Sequence, residues 1–175
     1  NTVSNLSSSR ALKDVTEAYG QQYHAAAVGE VNVVAEMKRT HSVIGGEGNG
    51  GVIYPESHYG RDALVGVGLF LSHYVAQSKK MTELKSTYPP YFISKNKMTL
   101  SPDMDVDKIL EGLKERYATE KVTDIDGVKI DFAQGWVHLR KSNTEPIIRI
   151  YSEAKDEAAA NQLAEEVIAA AKSTF

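Results

Sequence analysis

Apolar positions along the chain follow two different rhythms, and the change between them divides the sequence. In the first half, short apolar runs alternate with helix-period segments. The stretch 7–20 opens on serines, sets Leu12, Val15 and Tyr19 on one side and closes at Gly20, which predicts a serine-capped helix stopped by glycine. Residues 23–29 (YHAAAVG) read as a short strand. Residues 30–39 (EVNVVAEMKR) read as a helix with Val31, Val34 and Ala35 inward, and 41–46 (HSVIGG) as a strand entering a run of glycines. Beyond it, 60–77 is apolar almost all round, the mark of a buried helix. Alternating strand and helix predicts a parallel α/β layer.

The rhythm changes after residue 80. Thr82–Lys85 fits one helical turn, and Pro89-Pro90 stiffens a connector, so a domain boundary is expected near residues 86–91. Residues 92–100 are extended. Residues 105–117 set Val106, Ile109, Leu110, Leu113 and Tyr117 on one helical face. Asp126-Gly127 between alternating segments is a hairpin signal. Residues 135–154 read as two strands joined by a polar loop. A last helix over 156–173 has Ala160, Leu163, Ala164, Val167, Ile168 and Ala171 on one side. The expected fold is therefore α/β plus α+β. The C-terminal part of a parallel α/β layered domain spans 1–86, and a small, mostly antiparallel sheet with packed helices spans 87–175.

Composition narrows the function. Of the 175 residues, 42% are apolar and 25% charged, ordinary for a folded domain. A formal net charge of -3 gives no bulk attraction for nucleic acid or an anionic membrane, so neither is expected as a partner. Cysteine is absent, which excludes a disulfide framework, a thiolate metal site and a cysteine nucleophile, and fits a reducing, cytoplasmic setting. The longest apolar run, 63–71, is half of what a membrane span needs. A chain starting at Asn1, just inside a strand, reads as a fragment of something longer.

Two stretches carry candidate chemistry. In 140–149 (RKSNTEPIIR), strand alternation puts Trp136, His138 and Arg140 on the face opposite Val137 and Leu139. On the next strand Ile147, Arg149 and Tyr151 lie opposite Ile148 and Ile150. Two arginines then flank a loop whose Ser142, Asn143 and Thr144 offer donors, a combination suited to an anion. A solvated polar hairpin is the alternative. In 45–51 (GGEGNGG), no G-K-[ST] follows and no helix opens, so neither a Walker loop nor a dinucleotide fingerprint fits. A ligand loop at the C-terminal end of a strand fits better than a linker. There Glu47 can accept hydrogen bonds from neighbouring hydroxyls, as a sugar diol offers; His58 and Arg61, beyond the glycines, could reach such a site, but a role outside it is the better reading. Asp103, Asp105 and Asp107 look like the opening of a calcium loop, but Lys108 and Lys114 occupy its glycine and glutamate positions, and helix capping is the better reading. The five histidines have no metal-ligand spacing.

These two stretches, in this order and roughly ninety residues apart, resemble the α-D-phosphohexomutase superfamily, which includes phosphoglucosamine mutases, phosphoglucomutases and phosphomannomutases. The segments 2–12 (TVSNLSSSRAL), 27–39 (AVGEVNVVAEMKR) and 51–64 (GVIYPESHYGRDAL) support the resemblance, which covers essentially the whole chain. It implies a four-domain isomerase that moves phosphate between a phosphoserine and either end of a hexose through a bisphosphate intermediate. Domain 3 would be 1–86, truncated at its N-terminus, and domain 4, a TBP-like fold, would be 87–175. It further implies that Glu47 and Asn49 hold sugar hydroxyls and that Arg140, Ser142, Asn143, Thr144 and Arg149 grip the phosphate not being transferred. Partners would be hexose phosphates and the N-terminal domains of the parent chain. Gly51 and Glu30 stand where some members carry histidine, so no acid/base role transfers to them. The phosphoserine loop and the magnesium-binding D-G-D-x-D-R loop do not occur in the sequence. Mg²⁺ is thus expected for the full-length parent only, and this chain alone is expected to be inactive. A stand-alone sugar-phosphate-binding module is the alternative.

Overall fold

The computed structural model describes residues 1–101, 104–142 and 144–173, which form two compact units, Asn1–Pro90 and Tyr91–Phe175. In the first, β1 (Thr2–Asn5), β2 (Tyr23–Ala26) and β3 (Ile44–Glu47) are parallel in the order β2-β1-β3. The glycine-rich stretch does not leave the sheet as a free loop. β3 runs into it as far as Glu47, turns through 48–50, and returns as antiparallel β4 (Gly51–Tyr54), with β5 (His58–Arg61) beyond. The sheet is therefore mixed, its parallel part confined to three strands.

Four helices accompany this sheet: α1 (Ala11–Ala18), α2 (Glu30–Thr40), α3 (Ala63–Gln77) and α4 (Met81–Ser86). Its small core is Val3, Ala26, Val33, Met37 and Ile53. The inward face of α2 is thus Val33, Met37 and Thr40, with Val34 at its edge; Val31, expected inside, is 80% exposed, and Ala35 is exposed too. Two apolar stripes compete on this helix, and the one that carries the long Met37 side chain is buried. On α1 the buried residue is Thr16 rather than Val15 or Tyr19, because its hydroxyl is held by Leu12 O and Thr2 Oγ1, each at 2.7 Å. The largest correction is α3. It was expected to be buried, yet no residue of it is, and Leu64 is 83% exposed. It rests on the sheet where Gly66 meets Val52, and no other described element covers its outer side.

The second unit is a fully antiparallel sheet ordered β6-β10-β9-β8-β7, built from β6 (Phe92–Thr99), β7 (Lys121–Thr123), β8 (Val128–Asp131), β9 (Gly135–Lys141) and β10 (Ile147–Ala154). Helices α5 (Val106–Arg116) and α6 (Glu157–Lys172) complete its core with Met98, Ile130, Val137, Leu139, Ile148 and Ile150. Alternation along the strands works as expected: these residues share one face, leaving Arg140, Arg149 and Tyr151 on the other. Asp105 caps α5 by accepting from the backbone of Asp107 and Lys108. Asp103 lies outside the described residues.

Candidate functional site

The parallel register brings the C-terminal ends of β1, β2 and β3 to one edge of the first sheet, where open α/β sheets take ligands. Glu47 ends β3 there. One carboxylate oxygen accepts from Asn5 Nδ2 at 3.0 Å and from the Gly29 backbone N–H at 3.2 Å. The other faces Arg61 Nη1 at 3.5 Å, and the side chain is only 5% exposed. Asn5 is held in turn, its Oδ1 accepting from Ser7 N and Ser8 Oγ. Glu47 is thus a fixed acceptor with defined lone-pair directions. Asn49 sits in the turn, exposed, accepting from Gly51 N at 3.1 Å. Gly50 takes a φ of 94°, a conformation that explains glycine at that position.

Arg61 is the other organiser of this edge. Its Nε donates to Glu30 Oε2 at 2.7 Å and its backbone N–H to Glu30 Oε1 at 3.1 Å. The Arg61 side chain, then its backbone N–H, holds the Glu30 carboxyl below its ordinary range. The aliphatic part of Arg61 crosses Gly51 so closely that a Cβ there would come within 2.5 Å of Cδ. Beside them Asp62 accepts from Val65 N and from His58, contacts that lower its pKa in that order of importance. An open cleft of about 390 Å³ is lined by Asn49, Gly50, Gly51, Arg61 and Asp62.

In the second unit Arg140 and Arg149 are direct cross-strand partners at the base of the loop 142–146, and Lys97 of β6 faces Arg149 from the other side. Three cations therefore stand in one row across β6, β10 and β9. Ser142 is buried, its N–H donating to Ile147 O, and its hydroxyl lies 3.5 Å from both N and Oγ1 of Thr144. Thr144 is exposed. Asn143 lies outside the described residues. Arg149 Nη2 pairs with Glu145 Oε2 at 2.9 Å. A cleft of about 300 Å³ runs between Lys95, Lys97, Glu145, Ile147, Arg149 and Tyr151. Next along the face, His138 is almost wholly buried and donates to Asp126 O at 2.7 Å; burial pushes its pKa down to about 4, so it stays neutral.

Reading residues in sequence missed Asn5 and Gly29 as partners of Glu47, and Lys97 beside Arg149. Asn5 ends β1 and Gly29 caps the N-terminus of α2, and only the tertiary fold brings them to the end of β3. Lys97 was within reach, since Lys95 and Lys97 alternate along an evident strand. Among the described residues no cluster of acids and histidines is arranged to hold a metal ion. No helix of the described residues is long and apolar enough to cross a membrane.

The fold is that of known proteins. A phosphoglucomutase/phosphomannomutase family protein from Burkholderia thailandensis superposes with a TM-score of 0.79 at 22% identity, over 99% of this chain and 37% of that one. The Aspergillus fumigatus N-acetylphosphoglucosamine mutase, solved with GlcNAc-6P and magnesium, gives 0.62 at 15% identity, over 97% of this chain and 41% of that one. Residues 1–91 match the family described as phosphoglucomutase/phosphomannomutase, alpha/beta/alpha domain III, and residues 95–170 match the C-terminal domain of the same enzymes. The chain belongs to the phosphoglucomutase/phosphomannomutase family, and carries its third and C-terminal domains. A phosphoglucosamine/phosphogalactosamine mutase of Sulfurisphaera tokodaii is 36% identical over 94% of this chain, and a phosphoglucomutase/phosphomannomutase of Thermococcus kodakarensis is 36% identical over 93%. The chain spans only 37% and 36% of those two relatives.

Proposed function

We propose that this chain is the substrate-gripping half of a phosphohexomutase, an isomerase interconverting hexose 1-phosphate and hexose 6-phosphate of glucosamine, glucose or mannose through a phosphoserine and a bisphosphate intermediate. In this reading Arg140, Ser142, Asn143, Thr144 and Arg149 bind the phosphate that is not transferred, and Glu47 and Asn49 hold sugar hydroxyls. The observation that carries it is the cross-strand pairing of Arg140 with Arg149 at the base of the serine- and threonine-bearing loop. Two guanidiniums on one face offer paired donors to phosphate oxygens. A phosphate site that must accept either end of a sugar suits charge, which is indifferent to the rest of the molecule. A hydroxyl reader suits fixed acceptors, which Glu47 provides through Asn5 and Gly29.

Catalysis belongs to the cytoplasmic parent enzyme, whose N-terminal domains would be this chain's first partner. Magnesium there would neutralise phosphate charge during transfer, and none of the residues named here is proposed as its ligand. Titration calorimetry with glucosamine 6-phosphate tests the reading: Arg140→Ala should weaken binding by about 1.5–3 kcal/mol, the range for charge-assisted hydrogen bonds. An unchanged affinity would leave only a polar hairpin.

A further inference from the structure

Arg61 holds two acids and touches the glycine turn, yet the function proposed above gives it no task. Its guanidinium bridges Glu30 at 2.7 Å and Glu47 at 3.5 Å, elements far apart in sequence. Its stem lies across Gly51, where any side chain would have to displace it. Nε and Nη1 are engaged by the two carboxylates, no other guanidinium contact is made among the described residues, and the side chain is 48% exposed. It also lines the 390 Å³ cleft with Asn49 and Asp62. A structural ion pair needs only one of these contacts. A group that fixes the second oxygen of an otherwise enclosed acid, while keeping donors toward an open cleft, has the geometry of a selectivity element.

We infer that Arg61 is a positioning residue for sugar recognition: it fixes the carboxylate of Glu47, which lines an adjoining cavity of about 270 Å³ along Gly50 and Gly51, and keeps its remaining N–H groups for a further hydroxyl of the same hexose in the cleft on its own side of those glycines. The inference rests on Glu47 being the hydroxyl acceptor. Arginine suits the position because its planar fork reaches two carboxylates at once, which the single ammonium of lysine cannot do with the same geometry. Gly51 is then the partner of Arg61 in sequence terms, since the stem needs the space that a side chain would fill.

The test compares wild type, Arg61→Gln and Arg61→Lys in the 175-residue chain, with glucosamine 6-phosphate and inorganic phosphate as separate ligands. Arg61→Gln should weaken the hexose phosphate about tenfold or more, the loss expected for charge-assisted contacts, and leave inorganic phosphate unchanged. Arg61→Lys should recover part of that loss. Amide exchange gives a second, ligand-free reading: the Gly29 N–H, bonded to Glu47, should lose protection in Arg61→Gln while the amides of Val33 and Met37 keep theirs. Full hexose-phosphate affinity in Arg61→Gln overturns the inference and leaves the phosphohexomutase reading standing. So does equal loss of both ligands, which marks a structural role. A wild-type chain that does not prefer hexose phosphate to inorganic phosphate overturns the functional reading, and the inference with it.

Discussion

The two candidate sites treat charge in opposite ways. At the end of β3 a single acid is enclosed, its oxygens directed at Asn5, Gly29 and Arg61. On the face of the second sheet opposite its core, Lys97, Arg149 and Arg140 stand in a row, and among the described residues one acid, Glu145, is paired with them. The first arrangement spends its surroundings on direction, the second on charge. Hydroxyls are neutral and are told apart by where their hydrogens point, so a reader must be stiff. Phosphate is recognised mainly by charge and by several oxygens at once, so its site tolerates exposed, half-free cations.

Acid should separate the two units most strongly. His138 shares the cationic face, with Arg140 beside it on β9, Lys129 and Tyr151 opposite it on the neighbouring strands, and Asp126 O as its acceptor. Its folded pKa, lowered to about 4 from 6.5 by burial, lies below its unfolded value. The unfolded chain therefore binds the extra proton first as pH falls. Stability is complete above about pH 6.5 and is lost progressively down to about pH 4, by about 3 kcal/mol in all. Amide exchange in β8–β10 should follow this window, and His138→Gln should flatten it. An acid response of equal size in β1–β3 would show that the asymmetry between the units lies elsewhere.

Glu47→Ala tests the stiff site. The substitution strands the Gly29 N–H and the Asn5 amide and removes an anion from Arg61. A fully buried group left without a partner costs about 1–3 kcal/mol, and these two contacts are part-buried, so β1–β3 should lose about 2 kcal/mol of local stability by amide exchange, with β8–β10 unaffected. A neutral outcome would mean that Glu47 is not held as tightly as its distances imply.

Much of this was legible in the residues themselves, and the exceptions have physical reasons. The second unit could be read nearly whole: alternation in 135–154 assigned Arg140 and Arg149 to the face opposite Val137 and Ile148, because a two-residue period leaves no other choice. Helix faces in the first unit were harder. Both Val31 and Val33 begin plausible apolar stripes on α2, and only contact with β1 and β3 decides for Val33 and Met37. Helix α3 misled most, since an all-apolar sequence reports what a helix prefers to touch and says nothing of whether a described element is there to touch it. At the sites, the acid and the arginines were evident by type and spacing. Arg61 stood among the candidates, but the partners Asn5 and Gly29 that orient Glu47 were not evident, because they meet it only through the tertiary fold.

The smallest expected effect probes the permissive site. Glu145 is bonded to Arg149 at 2.9 Å, and both side chains are substantially exposed, so the pair contributes little to stability. Its consequence is for binding: a phosphate approaching Arg149 must displace a carboxylate already seated there. Glu145→Gln removes the competitor and one negative charge from a cleft lined by Lys95 and Lys97. Inorganic phosphate should bind a few-fold more tightly, on the order of 0.5 kcal/mol, with the gain shrinking as salt rises because exposed charges are screened. The same substitution should leave amide protection in β1–β3 untouched. A loss of affinity would mean that Glu145 holds Arg149 in the geometry phosphate needs, and the permissive site would then be as directed as the stiff one.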